Sequence, residues 1–194
     1  MSARSCFLGL ALAVAGSAIG QTLPPNNLEI QVGQSIADIF KAESGADITL
    51  VASGFLSPTK DIKNLAETFQ FPSDELWLVN LTGKQLLDAF DKSLSFYPDP
   101  CPDVLYFGGC EVTFQVGKAI KTKVMSVSVG GVNLDPAKSY KVAMPASLAR
   151  GGLSYFSVWN FQKPEKVVSS SIKNLLTGKS VQTTTVRWLS RQLL

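Results

Sequence analysis

The sequence predicts a single α+β domain of mixed α/β type, and three observations carry that prediction. Segments with helical spacing of apolar residues interleave with short strand-like runs, each bounded by Gly, Pro, Ser or Asp turns. Hydrophobic residues make up 45% and charged residues 17% of the 194, which suits one packed core and excludes a disordered chain. No repeat or low-complexity tract divides the sequence.

Residues 1–20 read as a secretory signal. Arg4 supplies the positive flank, residues 6–15 the apolar stretch, and residues 16–20 a mostly small run for cleavage, after Gly20 or Ala18. A short membrane anchor is the competing reading, but the apolar stretch is shorter than the roughly 20 residues a spanning helix needs. The expectation is an exported chain, periplasmic or extracellular, with no membrane span. Residues 21–32 form a linker-like segment containing Pro24 and Pro25, and residues 33–194 form the domain.

Within that domain, Val32, Ile36, Ile39 and Phe40 share one face of a helix over 33–43, which Ser44-Gly45 stops. A strand follows over 47–51 and ends in a small turn at Ser53-Gly54. Thr59 or Asp61 is suited to cap a helix over 62–68. Residues 76–81 read as a strand buried on both faces. Thr82 then caps a helix lined by Leu86, Leu87, Phe90 and Leu94. Further strands are predicted over 104–107, 110–116, 123–129 and 140–144, with a hairpin turn at Gly130-Gly131. Ala149-Arg150-Gly151-Gly152 is a tight turn, and the tail reads as two helices over 170–176 and 184–194.

Composition narrows the chemistry. The chain has no histidine, which excludes an in-chain Ser-His-Asp or Cys-His apparatus and every His-containing metal cluster. A net charge of +3 is too small to argue for nucleic acid as a partner. Cys101 and Cys110 form an even pair once the signal carrying Cys6 is removed, and in an oxidising compartment the expectation is a disulfide closing the loop between them. Free thiols, a redox pair and a metal site are the alternatives; two thiols without histidine make a poor zinc site. Ser57 near Lys60 and Ser139 near Lys141 offer proximity in sequence only for Ser-Lys chemistry. Asp88 with Asp91, and Asp74 with Glu75, sit where helix and turn surfaces ordinarily carry charge. Lys118, Lys121 and Lys123 fit a solvated edge that discourages strand pairing. Asn80-Leu81-Thr82 is a formal glycosylation acceptor at a buried strand end.

Five segments in order resemble the C-terminal domain of the 5′-nucleotidase family. Gly33-Gln34-Ser35-Ile36-Ala37-Asp38 is similar to its Gly-Asn-Leu-Ile-x-Asp helix start, and Gly45-Ala46-Asp47-Ile48 to its Ala-Asp-Ile strand. Leu81-Thr82-Gly83-Lys84-Gln85-Leu86 resembles its Leu-Thr-Gly-x-x-Leu segment, residues 127–140 the stretch ending in Leu-Asp-Pro-x-x-x-Tyr, and Leu148-Ala149-Arg150-Gly151-Gly152 its Leu-Ala-x-Gly-Gly turn. The resemblance implies a layered 5′-nucleotidase C-terminal-domain-like fold from Gly33 to the end of the chain.

In the full enzymes, the resemblance implies, a metallophosphatase domain holds two metal ions, and the C-terminal domain grips the nucleoside between two aromatics with arginines on the phosphate. The 194 residues are expected to contain no metallophosphatase domain. No cofactor is expected in this chain, with divalent metals entering only through a separate metallophosphatase chain. The substrate corner departs from the family pattern Asn-x-Gly-Gly-Ile-Arg: Ala52 stands for its asparagine and Ser57 for its arginine. Ser147 stands for one stacking aromatic, Pro72 for the other unless Phe71 takes over, and Leu153 for an acidic residue. The nucleoside-binding residues the resemblance leaves are Ser53, Gly54, Ser57, Phe71, Asp74, Gly109, Gly151, Gly152 and Tyr155, with no catalytic or metal residue among them. Serine replaces neither the charge nor the fork of a guanidinium. A degenerate nucleotide site in a non-catalytic module is therefore expected, the alternative being a substrate-binding component of a nucleotide hydrolase completed by a separate metallophosphatase chain.

Overall fold

A computed structural model of the chain describes residues 28–57, 64–116, 123–182, 185 and 187–192. The expected signal, residues 21–27, the Thr59 and Asp61 caps and Lys118 and Lys121 lie outside the described residues. Helix α1, Leu28–Ser44, begins earlier than the expected start at Gly33. Nothing in Leu28-Glu29-Ile30-Gln31-Val32 opposes a helix, and Glu29 sits in the first turn, where negative charge suits the helix dipole. Gly33 falls inside the helix, where the absence of a side chain admits the Tyr106 ring. Val32, Ile36 and Phe40 are buried as their spacing predicts. Gly45 closes the helix in a left-handed conformation, its N–H donating to the Lys41 carbonyl at 3.2 Å.

Strand β1, Ile48–Ala52, is buried along its whole length and ends in a single 3₁₀ turn at Ser53–Phe55. Of the expected helix over 62–68, the described residues contain a 3₁₀ turn at Leu65–Glu67, capped by Asn64. After β2, Leu76–Thr82, helix α2, Gly83–Ser93, starts on a capping box: Gln85 N donates to Thr82 Oγ1 at 3.2 Å and Thr82 N to Gln85 Oε1 at 2.9 Å. The remaining elements are β3 (Leu105–Gly108), β4 (Cys110–Val116), β5 (Lys123–Val129), β6 (Val132–Asn133), β7 (Ser139–Pro145), α3 (Ala146–Ala149), a 3₁₀ turn at Tyr155–Ser157, β8 (Lys166–Ser169), α4 (Ile172–Leu176) and β9 (Trp188–Gln192).

The described strands form a five-stranded sheet in the order β3-β1-β7-β2-β8 and a four-stranded sheet in the order β6-β5-β4-β9. In the first, β1 runs parallel to β7 and antiparallel to β3, while β2 is antiparallel to both β7 and β8. Helix α1 packs on β1, β3 and β7, and α2 bridges the sheets through β2 and β5. The chain passes between sheets at Gly109, where φ is +81° and an added side chain would strike the Asp47 carbonyl. An aromatic cluster holds the junction. Trp188 meets Phe107 at 5.0 Å, Phe114 at 5.7 Å and Phe90 at 5.9 Å between ring centroids, all edge-on.

Two expectations are corrected here. The described part of the tail expected as a helix over 184–194 is a strand: β9 pairs in parallel with β4 from Val112–Trp188 to Val116–Gln192. Trp188 and Ser190 alternate inward, and the Trp188 indole donates to the Leu105 carbonyl at 3.0 Å. Long-range pairing and indole burial override a local preference for helix.

Cys101 and Cys110 are not bonded to each other. The Cys101 carbonyl accepts from Ser53 Oγ, beyond the end of β1, whereas Gly109, next to Cys110, packs on Asp47 at the strand's start. The six residue steps from Asp47 to Ser53 span about 20 Å in extended strand, against a Cα separation of about 7 Å at most for a disulfide. Burial raises the Cys110 thiol well above the ordinary range and keeps it protonated.

Two outcomes follow. Trp188→Ala should cost about 3–5 kcal/mol in urea unfolding with an unchanged slope, because the aromatic cluster loses its common member. A reductant should leave the melting temperature unchanged, and denaturation without reductant should release Cys101 and Cys110 as titratable thiols.

Candidate functional site

Strand β1 delivers Ser53-Gly54 to the carboxyl end of the sheet, the position at which open α/β sheets bind ligands. The chain itself occupies that corner. Ser53 N donates to the Val104 carbonyl at 2.8 Å, Ser53 Oγ to the Cys101 carbonyl at 2.8 Å, and Gly54 N to the Pro102 carbonyl at 2.7 Å. A Cβ on Gly54 would come within 2.8 Å of Pro102 and 3.1 Å of the Leu153 side chain. Only glycine permits that approach. Ser57 N is likewise used, on the Thr68 carbonyl at 2.7 Å, and Phe71 lies half exposed with its ring 5.8 Å from Phe55.

The covering segment is anchored at Asp103. Lys92 Nζ donates to Asp103 Oδ2 at 2.8 Å, with side chains only 18% and 9% exposed. The Cys101 thiol donates to the other carboxylate oxygen, and the Tyr155 hydroxyl donates to the Asp103 backbone carbonyl at 2.6 Å. Tyr155 is fully buried, stacked on Trp159 at 4.9 Å, with the Lys92 ammonium 5.3 Å from its ring centroid. Burial pushes the Asp103 carboxyl upward, but the hydrogen bonds from Cys101 and Lys92 outweigh it, so the group stays below its ordinary range. Burial and the Asp103 hydrogen bond raise the Cys101 thiol, which remains the donor.

A second cluster forms around Ser147. Asp74 Oδ2 accepts from Ser147 N at 3.2 Å and from Ser147 Oγ at 2.5 Å, tying the loop before β2 to the start of α3. Gly152 N donates to the Ser147 carbonyl at 2.9 Å, and Gly151 adopts φ +94° with Phe156 packed where a side chain would go. Leu153 and Ser154 follow with φ of +53° and +62°. The structure thus gathers Ser53, Gly54 and Tyr155 around residues 101–104, and Asp74, Gly151 and Gly152 around Ser147. Phe71 joins the first group through Phe55. Gly109 stands apart, at the opposite end of β1.

Sequence reasoning missed a cavity of about 200 Å³ behind the turn. Its lining includes Tyr97, Cys101, Val104, Tyr106, Phe114 and Trp188. Phe114 and Trp188 arrive from the second sheet, a placement no local spacing reveals; the proline-rich run 97–102 was the available signal. Among the described residues no group of three or more His, Cys, Asp or Glu side chains could hold a metal ion, and no helix is long and apolar enough to cross a membrane.

The sequence matches the family described as 5′-nucleotidase, C-terminal domain, over residues 14–159. The fold is similar to that of a 5′-nucleotidase precursor from Thermus thermophilus, with a TM-score of 0.67 and 20% identity over 83% of this chain and 35% of that one. It is also similar to the NAD nucleotidase NadN of Haemophilus influenzae (TM-score 0.64, 16% identity, 84% of this chain and 33% of that one). The sulfate thiohydrolase SoxB of Thermus thermophilus, in complex with glycerol, gives a TM-score of 0.55 at 18% identity over 82% of this chain and 32% of that one. This chain spans about a third of the length of these proteins, and at such identities the similarity speaks to the fold. No curated protein matches it. With a family match over residues 14–159, most of its length, and a fold shared with 5′-nucleotidase structures, the chain belongs to the 5′-nucleotidase C-terminal domain family.

Proposed function

We propose that this chain is an exported, non-catalytic binding or interaction module whose nucleotide corner is degenerate. One observation carries the reading: the donors of the Ser53-Gly54 turn are satisfied by the Cys101, Pro102 and Val104 carbonyls, leaving none of them for a phosphate or ribose. The chemistry of the neighbouring positions agrees. Ala52 and Ser57 stand where the family pattern carries asparagine and arginine, and Ser147, in place of an aromatic, is bound by Asp74. Loss of a base-stacking aromatic forfeits on the order of 1–3 kcal/mol, and an absent guanidinium removes the bidentate phosphate contact as well. The residues present do not fit a two-metal centre, since the chain has no histidine, so no hydrolytic step is assigned to it.

A second reading is supported by the structural relatives. In the structural relatives the matched part covers about a third of each protein, so the domain there belongs to a larger chain. A substrate-binding component completed by a separate metallophosphatase chain would reproduce that composition, and divalent metals would enter only with the partner.

Calorimetric titration of the full chain with adenosine, AMP and UDP-glucose should give no saturable heat at sub-millimolar ligand; binding in that range would overturn the degenerate-site reading. The closed corner should also be pH-dependent. Asp103 ionises more readily folded than unfolded, so its pairing stabilises the fold above about pH 4 and that contribution is lost as pH falls through the folded-state value. Lys92→Met should therefore cost about 3 kcal/mol at pH 7 and markedly less in acid, where Asp103 is protonated in both proteins.

A further inference from the structure

We infer that the cavity behind the Ser53-Gly54 turn binds a compact, uncharged, largely aromatic or aliphatic molecule. The inference rests on the reading of that turn as closed to nucleotides, because it assigns a different ligand chemistry to the space beside it.

Size is the first argument. The cavity measures about 200 Å³, whereas an apolar protein cavity of about 150 Å³ stays dry and takes up benzene. A single ring or a small fused bicycle fills it; a nucleotide or a peptide segment does not fit.

Wall chemistry is the second. Leu94, Val104 and Phe114 are apolar, and several polar atoms of the other walls are spent within the protein. The Trp188 indole donates to the Leu105 carbonyl at 3.0 Å, the Cys101 thiol to Asp103, and Ser53 Oγ to the Cys101 carbonyl. Ser93 Oγ accepts the Leu105 amide at 2.8 Å, and the Tyr106 hydroxyl points to Glu29 at 3.4 Å. Among the described residues no lysine or arginine lines the space, and the two charged ones that do, Glu29 and Asp99, are acidic and exposed. An anion finds repulsion there, and an apolar body finds aromatic surface.

Persistence is the third. The space opens to solvent beside the exposed Glu29, Pro98, Asp99 and Pro100, and its inner walls would close on it unless they were held apart. Here the walls brace one another: Tyr97 meets Phe114 at 5.2 Å and Phe114 meets Trp188 at 5.7 Å, both edge-on, while Pro98 and Pro100 stiffen the overlying loop.

The test is a titration of the full chain with indole, read by calorimetry and by melting temperature. The expected result is saturable binding with a Kd below about 1 mM and a rise in melting temperature with concentration. Val104→Phe, which fills the cavity from a partly buried wall, should weaken binding at least roughly tenfold while the circular dichroism spectrum is retained. Independently, in a Cys6→Ser background, indole should slow modification of Cys101 by a thiol reagent, Cys110 being buried. Absence of saturable indole binding by the folded chain overturns the inference, as does unweakened binding by folded Val104→Phe. If that variant fails to fold, the protection of Cys101 decides. Binding of AMP in a parallel titration would overturn the degenerate-site reading; silence with both AMP and indole would overturn the cavity assignment alone.

Discussion

Asp103 holds three parts of the chain in one place. Its carboxylate receives the Lys92 ammonium from α2 and the Cys101 thiol from the loop before it, while its backbone carbonyl receives the Tyr155 hydroxyl. Residues 101, 102 and 104 are thereby fixed with their carbonyls toward the Ser53-Gly54 turn, and all three accept from it. The pair works because it is mostly out of water and fully partnered. With 9% of the Asp103 side chain exposed, screening is small, and an unpaired carboxylate there would be costly. Everything at the carboxyl end of β1 depends on this anchor: the close approach at Gly54, the seat of Leu153, and the roof of the cavity behind.

The consequence for function is a separation of shape from chemistry. The glycines at 54, 151 and 152 meet demands of backbone approach and positive φ that belong to the fold whatever it binds. At the positions where the family resemblance implies asparagine, arginine, a stacking aromatic and an acidic residue, this chain carries Ala52, Ser57, Ser147 and Leu153. The same fold occurs in proteins described as a 5′-nucleotidase precursor, an NAD nucleotidase and a sulfate thiohydrolase, so the architecture alone does not select a substrate. The site has to be read from its own atoms, and those atoms point inward.

What the sequence made legible was local. The Thr82 capping box, the Ser44-Gly45 stop and the Gly130-Gly131 hairpin are set by residues within a few positions of one another, and the structure contains all three. Five segments in order identified the fold as a whole. The tail was misread because β9 exists through its pairing with β4, more than seventy residues away, and through a tryptophan that completes a distant aromatic cluster. The cysteines were misread for a related reason. Nearness in sequence says nothing of distance when β3 carries the chain the length of the sheet between them. The turn's position was visible in advance; its covering was not, because Pro102, Leu153 and Tyr155 come from far along the chain.

Amide hydrogen exchange at Ser53 and Gly54, measured by nuclear magnetic resonance with and without millimolar AMP, tests the closed corner most directly. Both amides should exchange slowly in the free protein, at rates set by global unfolding, and AMP should leave them unchanged. Fast exchange in the free protein that slows when AMP is added would show an open turn waiting for a nucleotide, and would contradict the account.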